Sequence, residues 1–425
     1  MQKTQKGKKR ILIVGGGYGG LKTAITLQKR HADAEIILIS KHDYHYQTTL
    51  LHKVAIGTLS EQKAKIYYRT ILKSVKFIKD KVMEIKPEQN LVIGKFDNYN
   101  YDILVIALGF KPNFFDIKGA KEHTYKLTSL NAALLLKKHI EWKFKDFHIT
   151  KDLSDLSFIV CGTGFTSIEF AAELAHSLDK LCQMYGLDKS LVKITCIGRS
   201  DRILPVFPPD LAQNAAKKLE DLGVTFINNA DVIECTKDGV ILQKKAPKNN
   251  DTKEIEKTEK KAGPIEPQTL KITGNITLWG TGVKGSDIIE HYSKINSTQG
   301  RMPVDTTLKS IDYENIYVVG DCATSKREMK FVPTAQLATQ MGEYLGNLLA
   351  DELSGKTQHA DFKFINRGSI CSLGHLDATG VIFGRKINGE FGAFMKNLVE
   401  NRWLFGIGGL KMVIRKGQFR YRSSD

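Results

Sequence analysis

Two stretches of this 425-residue sequence demand the same local structure. In the first, the apolar run Ile11-Leu12-Ile13-Val14 ends on Gly15-x-Gly17-x-x-Gly20, and a helical pattern follows. Gly15 permits a tight turn, Gly17 lets a pyrophosphate approach the backbone, and Gly20 allows a helix to pack closely on a strand, with the phosphate at the helix N-terminus. The second stretch runs from Phe158 to Cys161 and ends on Gly162-x-Gly164-x-x-Ser167, with a small serine in the third position. One such loop is weak evidence, but strand, turn and helix in that order, twice, point to two dinucleotides in one chain.

Elsewhere, Ile36 to Ile39, Ile103 to Ala107, Ile194 to Ile197 and Ile316 to Val319 read as short buried strands. Leu21 to Arg30, Ile168 to Met184 and Ala335 to Leu353 carry apolar residues at helical spacing. Buried strands leading into helices indicate an α/β fold with parallel sheets. The run Tyr317-Val318-Val319-Gly320-Asp321 delivers a carboxylate at a strand's C-terminal edge, where it can accept hydrogen bonds from the hydroxyls of a flavin dinucleotide. The plainer reading of Asp321 is an N-cap for the next helix. Glycine-ended runs at Ala107-Leu108-Gly109 and Gly280-Thr281-Gly282 mark where the chain crosses between two nested nucleotide domains. The usual ribose-binding acid after the second strand is missing, since that strand ends Ile39-Ser40-Lys41-His42.

The length suits two or three domains of roughly 100–200 residues each. Six cysteines (Cys161, Cys182, Cys196, Cys235, Cys322 and Cys371) are scattered without a C-x-x-C pair, which argues against a zinc ribbon or a disulfide framework and fits a reducing setting. No apolar run reaches the ~18–20 residues that cross a bilayer, and the N-terminus lacks a secretory apolar segment, so neither a span nor secretion is expected. A formal charge of +17 suits nucleic acid, an anionic lipid surface or plain solubility. Residues 244–271, poor in large apolar groups, read as an exposed loop or hairpin inserted in a domain.

Asp43-Tyr44-His45-Tyr46, Leu51-His52, Phe165-Thr166-Ser167-Ile168-Glu169, Gly320-Asp321-Cys322, the Ala335-Gln336-x-x-x-Gln340 element and Cys371-Ser372-Leu373-Gly374 together resemble the type II NADH:quinone oxidoreductases. The similarity runs from Arg10 to about Phe419. It implies two nested Rossmann-like domains: a discontinuous FAD domain over 10–116 and 276–355, an NAD(P)H domain over 117–275, and a membrane-binding and dimerisation region over 356–425. The implied reaction is hydride transfer from NADH to FAD and passage of the electron pair to a membrane quinone. The implied setting is peripheral, on the cytoplasmic face of the membrane, as a homodimer on anionic lipid without nucleic acid. With no span there is no path for proton pumping, and no metal is required.

Carried over by position, Gln336 and Gln340 match the glutamines that line the quinone site, one turn apart on a helix. Glu169 matches a carboxylate placed to donate or relay a proton, the plainer reading being an ordinary helix-terminal carboxylate. Lys396 resembles a basic residue at the quinone entrance. Cofactor contacts are expected from Gly15, Gly17, Gly19, Gly20, Lys41, Thr48, Ala107, Gly109, Gly162, Gly164, Thr166, Gly198, Arg199, Arg202, Gly282, Asp321, Ala335 and Gln336. Sulfide:quinone oxidoreductases need a cysteine pair at the flavin, and flavin disulfide reductases need C-x-x-x-x-C after the first loop; neither is present. A soluble NAD(P)H-flavin reductase serving another acceptor, such as a ferredoxin, is the alternative.

One departure stands out. The strand after the second loop ends Ile197-Gly198-Arg199-Ser200-Asp201-Arg202, with glycine where the family has a glutamate for the adenine ribose. Loss of the acid beside two arginines is the pattern expected for tolerance of a 2′-phosphate, hence of NADPH. The tail from Phe391 to Arg422 combines dense aromatics with Lys and Arg, interrupted by Gly406, Gly408 and Gly409, which suits the interface of an anionic leaflet. A buried core or dimer segment is the other reading.

Overall fold

The computed structural model describes residues 7–245, 269–293, 295–325 and 331–419. In chain order, the elements that position the site are β1 (Lys9–Val14), α1 (Tyr18–Lys29), β2 (Ala34–Ser40), α2 (Leu51–Ile56), β3 (Lys76–Lys79), β4 (Ile103–Ile106) and α3 (Leu130–Thr150). There follow β5 (Ser157–Cys161), α4 (Phe165–Tyr185), β6 (Lys193–Ile197), β7 (Val224–Ile227), β8 (Ala230–Thr236), β9 (Gly239–Lys244), β10 (Thr269–Thr273), β11 (Ile276–Trp279) and β12 (Ile316–Val318). The chain closes with α5 (Ala335–Leu353), β13 (Gly368–Ser372), β14 (Ala378–Ile382), β15 (Arg385–Ile387) and α6 (Gly389–Lys416).

Two parallel sheets organise the molecule, one in the order β12-β4-β1-β2-β3 and the other β7-β6-β5-β11. At their centres, β1 from Ile11 to Val14 and the whole of β5 are buried, as continuous apolar runs require when helices cover both faces. Both glycine loops lead into helices earlier than the apolar spacing indicated, at Tyr18 and Phe165, because the loop glycines themselves start the first turn. On the first sheet, α1 lies against α5 through glycine: a Cβ on Gly342 would stand 2.3 Å from the Gly19 carbonyl oxygen, and one on Gly346 would stand 2.6 Å from Thr26 Cβ.

The two sheets are joined by a short antiparallel ribbon, Lys111–Pro112 against Val283–Lys284, where the chain leaves one domain and re-enters it. Strand β11, placed with the first domain by the expected boundary at residue 276, pairs in parallel with β5, Phe158 opposite Ile276. A three-stranded antiparallel sheet, β8-β9-β10, flanks the second sheet. Its hairpin pairs Gln243 with Thr269, so the lysine-rich insertion emerges from a strand pair, and most of it (246–268) lies outside the described residues. All six cysteines are free and buried.

The C-terminal region is a second antiparallel sheet, β13-β14-β15, followed by α6. The helix passes through Gly406 and Gly408 and breaks only at Gly409, whose φ of 66° is open to glycine. Its burial is inverted. Glu400, Asn401, Leu404, Ile407 and Met412 face the protein, while Phe391, Phe394, Leu398, Val399, Phe405, Leu410 and Ile414 face outward.

Candidate functional site

At the first loop, Gly15 adopts φ of 105°, and a Cβ there would lie 2.1 Å from the carbonyl oxygen of Ala107. Gly20 is as closely held, 2.1 Å from the oxygen of Gly15, and Gly19 packs on Val319. Gly17 and Gly109 instead face space with nothing within 4 Å. The loop is braced from behind by the Tyr68 hydroxyl, which donates to the Gly16 carbonyl at 2.7 Å, and by His45 Nδ1 at 3.2 Å from the same oxygen. Nearby, Tyr18, His45 and Trp403 form a ring cluster with centroids 4.9 to 5.5 Å apart, and Thr48 and Thr49 reach the Tyr18 hydroxyl.

These residues fit a flavin dinucleotide. Three glycines clamp the strand and helix together while a fourth leaves room for a pyrophosphate, and His45 Nε2 and Gln47 Oε1 are buried with no partner among the described residues. Burial raises the Asp321 carboxyl to about 6 against the pull of Arg301. Asp321 lies in a short 3-10 turn, Gly320–Cys322, not at the start of a long helix, so it does not serve as an α-helix N-cap. Lys41 stands at the end of β2, its pKa lowered by partial burial and by Lys111 and Lys81. Ala335 opens α5, whose cap is Thr334, with Oγ1 accepting from the Leu337 N–H at 3.0 Å.

The second loop repeats the pattern. Gly162 has φ of 113°, and Gly164 has nothing within 4 Å, with Thr166 exposed beside it. The serine in third position is explained by its neighbour: Ser167 Oγ occupies the space where a Cβ on Gly280 would stand, 2.0 Å away. Gly282, with φ of 61°, lies at the ribbon against Phe115. At the same end of the sheet, on the neighbouring strand, Gly198 carries no acid, Arg199 pairs with Asp231 at 2.7 Å, and Arg202 lies 3.7 Å from Asp201.

Gln336 and Gln340 share a face of α5, but their amides are engaged by the segment that leads into β13. Gln336 Nε2 donates to the Gly368 carbonyl at 3.0 Å and its Oε1 accepts from the Arg367 N–H at 2.8 Å. Gln340 makes the same two-way pair with Ile365, both bonds 2.9 Å. The glutamines thereby fix the strand whose end carries Cys371 and Ser372.

Four separate elements meet at Glu169, which lies just beyond the first turn of α4 and so is not a helix-terminal carboxylate. Lys396 Nζ from α6 donates to Oε1 at 2.5 Å, the Ser372 N–H from β13 donates to the same oxygen at 3.1 Å, and His52 Nδ1 from α2 stands 3.7 Å from Oε2. Lys396 also donates to the Ile370 carbonyl at 3.3 Å. Burial would raise the Glu169 carboxyl, but the Lys396 charge and the bonds donated by Lys396 and Ser372 outweigh it and hold it below the ordinary range. Lys396 is pulled down by burial and pushed up more strongly by Glu169 and then Glu400, so it stays charged. Burial drives His52 down to about 4, so it is neutral at neutral pH and the counter-charge of Glu169 is Lys396.

The sequence reading had not singled out two further acids. Glu173, one turn beyond Glu169, accepts from the Thr58 hydroxyl. Glu400, one turn beyond Lys396, is buried with neither oxygen bonded among the described residues, and burial raises its carboxyl. The i, i+4 spacing from Glu169 and from Lys396 was the available signal.

A family model described as pyridine nucleotide-disulphide oxidoreductase matches residues 9–342. A Staphylococcus aureus protein named type II NADH:quinone oxidoreductase is 35% identical over 421 residues, covering 97% of this chain and 99% of that relative. Among solved structures, NDH2 from Plasmodium falciparum in complex with NADH aligns with a TM-score of 0.82 at 19% identity, over 96% of this chain and 97% of that one. The sulfide:quinone oxidoreductase of Aquifex aeolicus aligns at 0.74 and 19%, over 94% and 91%. Likeness at 19% identity shows the shared fold alone; the full-length match at 35% shows the family. The chain belongs to the type II NADH:quinone oxidoreductases.

Proposed function

We propose that this protein oxidises NADH and reduces a membrane quinone, with FAD held at the first glycine loop and the nicotinamide dinucleotide at the second. The observation that carries the reading is the meeting at Glu169 of the helix behind the nucleotide loop, the strand fixed by Gln336 and Gln340, and the tail helix. When bound, the flavin supplies a two-electron carrier between nicotinamide and quinone. The chain's own residues do the rest. Both loops hold planar rings at fixed positions, and the buried Glu169–Lys396 pair keeps one proton-accepting and one proton-donating group at the junction.

NADH delivers two electrons with one proton, whereas a quinone takes two of each on becoming a quinol, so a second proton must come from solvent. Glu169 and Lys396 are the groups proposed to pass it. The protein consumes that proton at the quinone and translocates none. A single experiment tests the scheme: flavin absorbance bleached by NADH anaerobically and restored by a short-chain quinone. Failure of the quinone to restore it, with a ferredoxin succeeding, would favour a soluble reductase instead.

Two finer readings belong with it. NADPH is tolerated beside NADH, because Arg199 and Arg202 stand where the family's acid is absent. The outward apolar face of α6, interleaved with exposed Arg402, Lys411 and Arg415, lies on the anionic cytoplasmic leaflet. No helix among the described residues is long and apolar enough to cross a membrane. Phe391 and Phe405, 61% and 60% exposed, are two of seven outward apolar side chains gathered on this one helix. Pairing of that face with a second copy would appear as dimerisation without vesicle binding.

A further inference from the structure

We propose that Asp231 decides between a 2′-hydroxyl and a 2′-phosphate on the adenosine of the nicotinamide dinucleotide, supplying from the neighbouring strand the acid that position 198 lacks. The inference rests on the second glycine loop being the nicotinamide dinucleotide site.

An acid does not fit at position 198. A Cβ there would stand 2.6 Å from both Oγ1 and Cγ2 of Thr163, a branched side chain in the loop itself. The adjoining backbone brings another acid close. The Ala230 N–H donates to the Gly198 carbonyl at 3.0 Å and the Asn229 N–H to that of Ser200 at 3.0 Å, so the start of β8 is bound to the end of β6. Asp231 follows directly.

Its Oδ1 accepts from Arg199 Nε at 2.7 Å, and its Oδ2 lies 3.4 Å from Lys245 Nζ, which also reaches the Arg199 carbonyl at 3.4 Å. The Arg199 guanidinium sits 5.7 Å from the centre of the Phe115 ring. These four side chains, with the apolar Val232 and Ile233, line an open cavity of about 460 Å³. Two cations, Asp231 between them and a second carboxylate, Asp116, on the cavity wall give the site acceptors for a ribose hydroxyl and donors for a phosphate in one place. A 2′-phosphate gains Arg199 and Lys245 but must displace Asp231 from both, while a 2′-hydroxyl can donate to Asp231 as it stands.

Half-nucleotides isolate this end of the site. Isothermal titration of the full-length flavoprotein with 5′-AMP and with 2′,5′-ADP compares wild type, Asp231→Asn and Lys245→Gln. Removing one negative charge next to a phosphate is expected to tighten 2′,5′-ADP about tenfold or more in Asp231→Asn, leaving 5′-AMP unchanged or weaker. Lys245→Gln is expected to weaken 2′,5′-ADP and spare 5′-AMP. Asp231→Ser replaces the asparagine variant if the latter fails to retain flavin. A ratio of the two affinities that stays within about twofold of wild type in the Asp231 variant overturns the proposal while leaving the site reading intact. Wild-type protein that binds neither half-nucleotide overturns that reading and the proposal with it.

Discussion

Lys396 Nζ lies 2.5 Å from Glu169 Oε1, joining the tail helix to the helix behind the second nucleotide loop in one buried ion pair. The side chains keep only 15% and 8% of their surface exposed. Desolvation penalises both charges, and the pair persists because each neutralises the other and Ser372 and Ile370 take up further bonds.

Lys396→Met leaves Glu169 without its main counter-charge, so burial prevails and the carboxyl titrates at a higher pH than in wild type. Quinone reduction is expected to fall about 100-fold, while bleaching of the flavin by NADH stays within about threefold. Where the ionised carboxylate is required, the residual rate should rise with pH through a range in which wild type is flat. Stopped-flow measurement of the two half-reactions across pH 5–9 checks this.

Glu400 provides the opposite sign. A folded-state carboxyl raised by burial destabilises the protein progressively as pH climbs from its unfolded pKa through its folded one, and the full penalty remains above that. Glu400→Gln should therefore raise Tm at pH 8 by about 2 °C or more and change it little at pH 4.5. Equal shifts at both pH values would mean that the carboxylate charge is not what costs stability.

The loop glycines separate folding from binding. Gly17→Val and Gly164→Val place side chains in space that no protein atom occupies, so the apoprotein should keep its Tm within about 1 °C. Gly17→Val should lose flavin, read by absorbance. Gly164→Val should retain flavin and lose binding of NADH. Gly15→Ala is expected to impair folding itself, because its Cβ meets Ala107 at backbone distance in a positive-φ conformation.

Replacing Phe391, Leu398 and Phe405 by serine removes three outward side chains of α6 that fill no core. Flotation with anionic vesicles should be lost, with flavin content and Tm unchanged and reduction of a water-soluble quinone retained. Persistence of vesicle binding would place the lipid contact elsewhere.

Much of this was legible in the sequence because it is local. A strand, a turn that only glycine can make and a helix occupy consecutive residues, so Gly15 and Gly162 are legible from the sequence. The tail's apolar content was visible, but its inversion was not: Lys396, Glu400 and Asn401 face inward only because Glu169, Ser372 and the end of the chain are brought there by the tertiary fold. The glutamines of α5 were found by their motif, whereas their partners at residues 365–368 follow no periodicity. Arg199 stands out by its charge, yet its carboxylate partner sits on another strand at no fixed spacing, and the expected boundary at residue 276 puts β11 with the first domain because a buried parallel strand looks alike in either.

The ribbon at Lys111–Pro112 and Val283–Lys284 also sets an order of events during synthesis. The second sheet has all its strands once Trp279 has been made, whereas the first, begun at Lys9, lacks its edge strand until Val318 has emerged, and α5 later still. A domain nested in this way can close while its host remains an open sheet, inverting the usual N-terminal-first sequence. Throughout that interval Glu169 exists without Lys396. The nascent nucleotide domain must carry that acid protonated or solvated, and α6, made later, is the helix that brings its counter-charge.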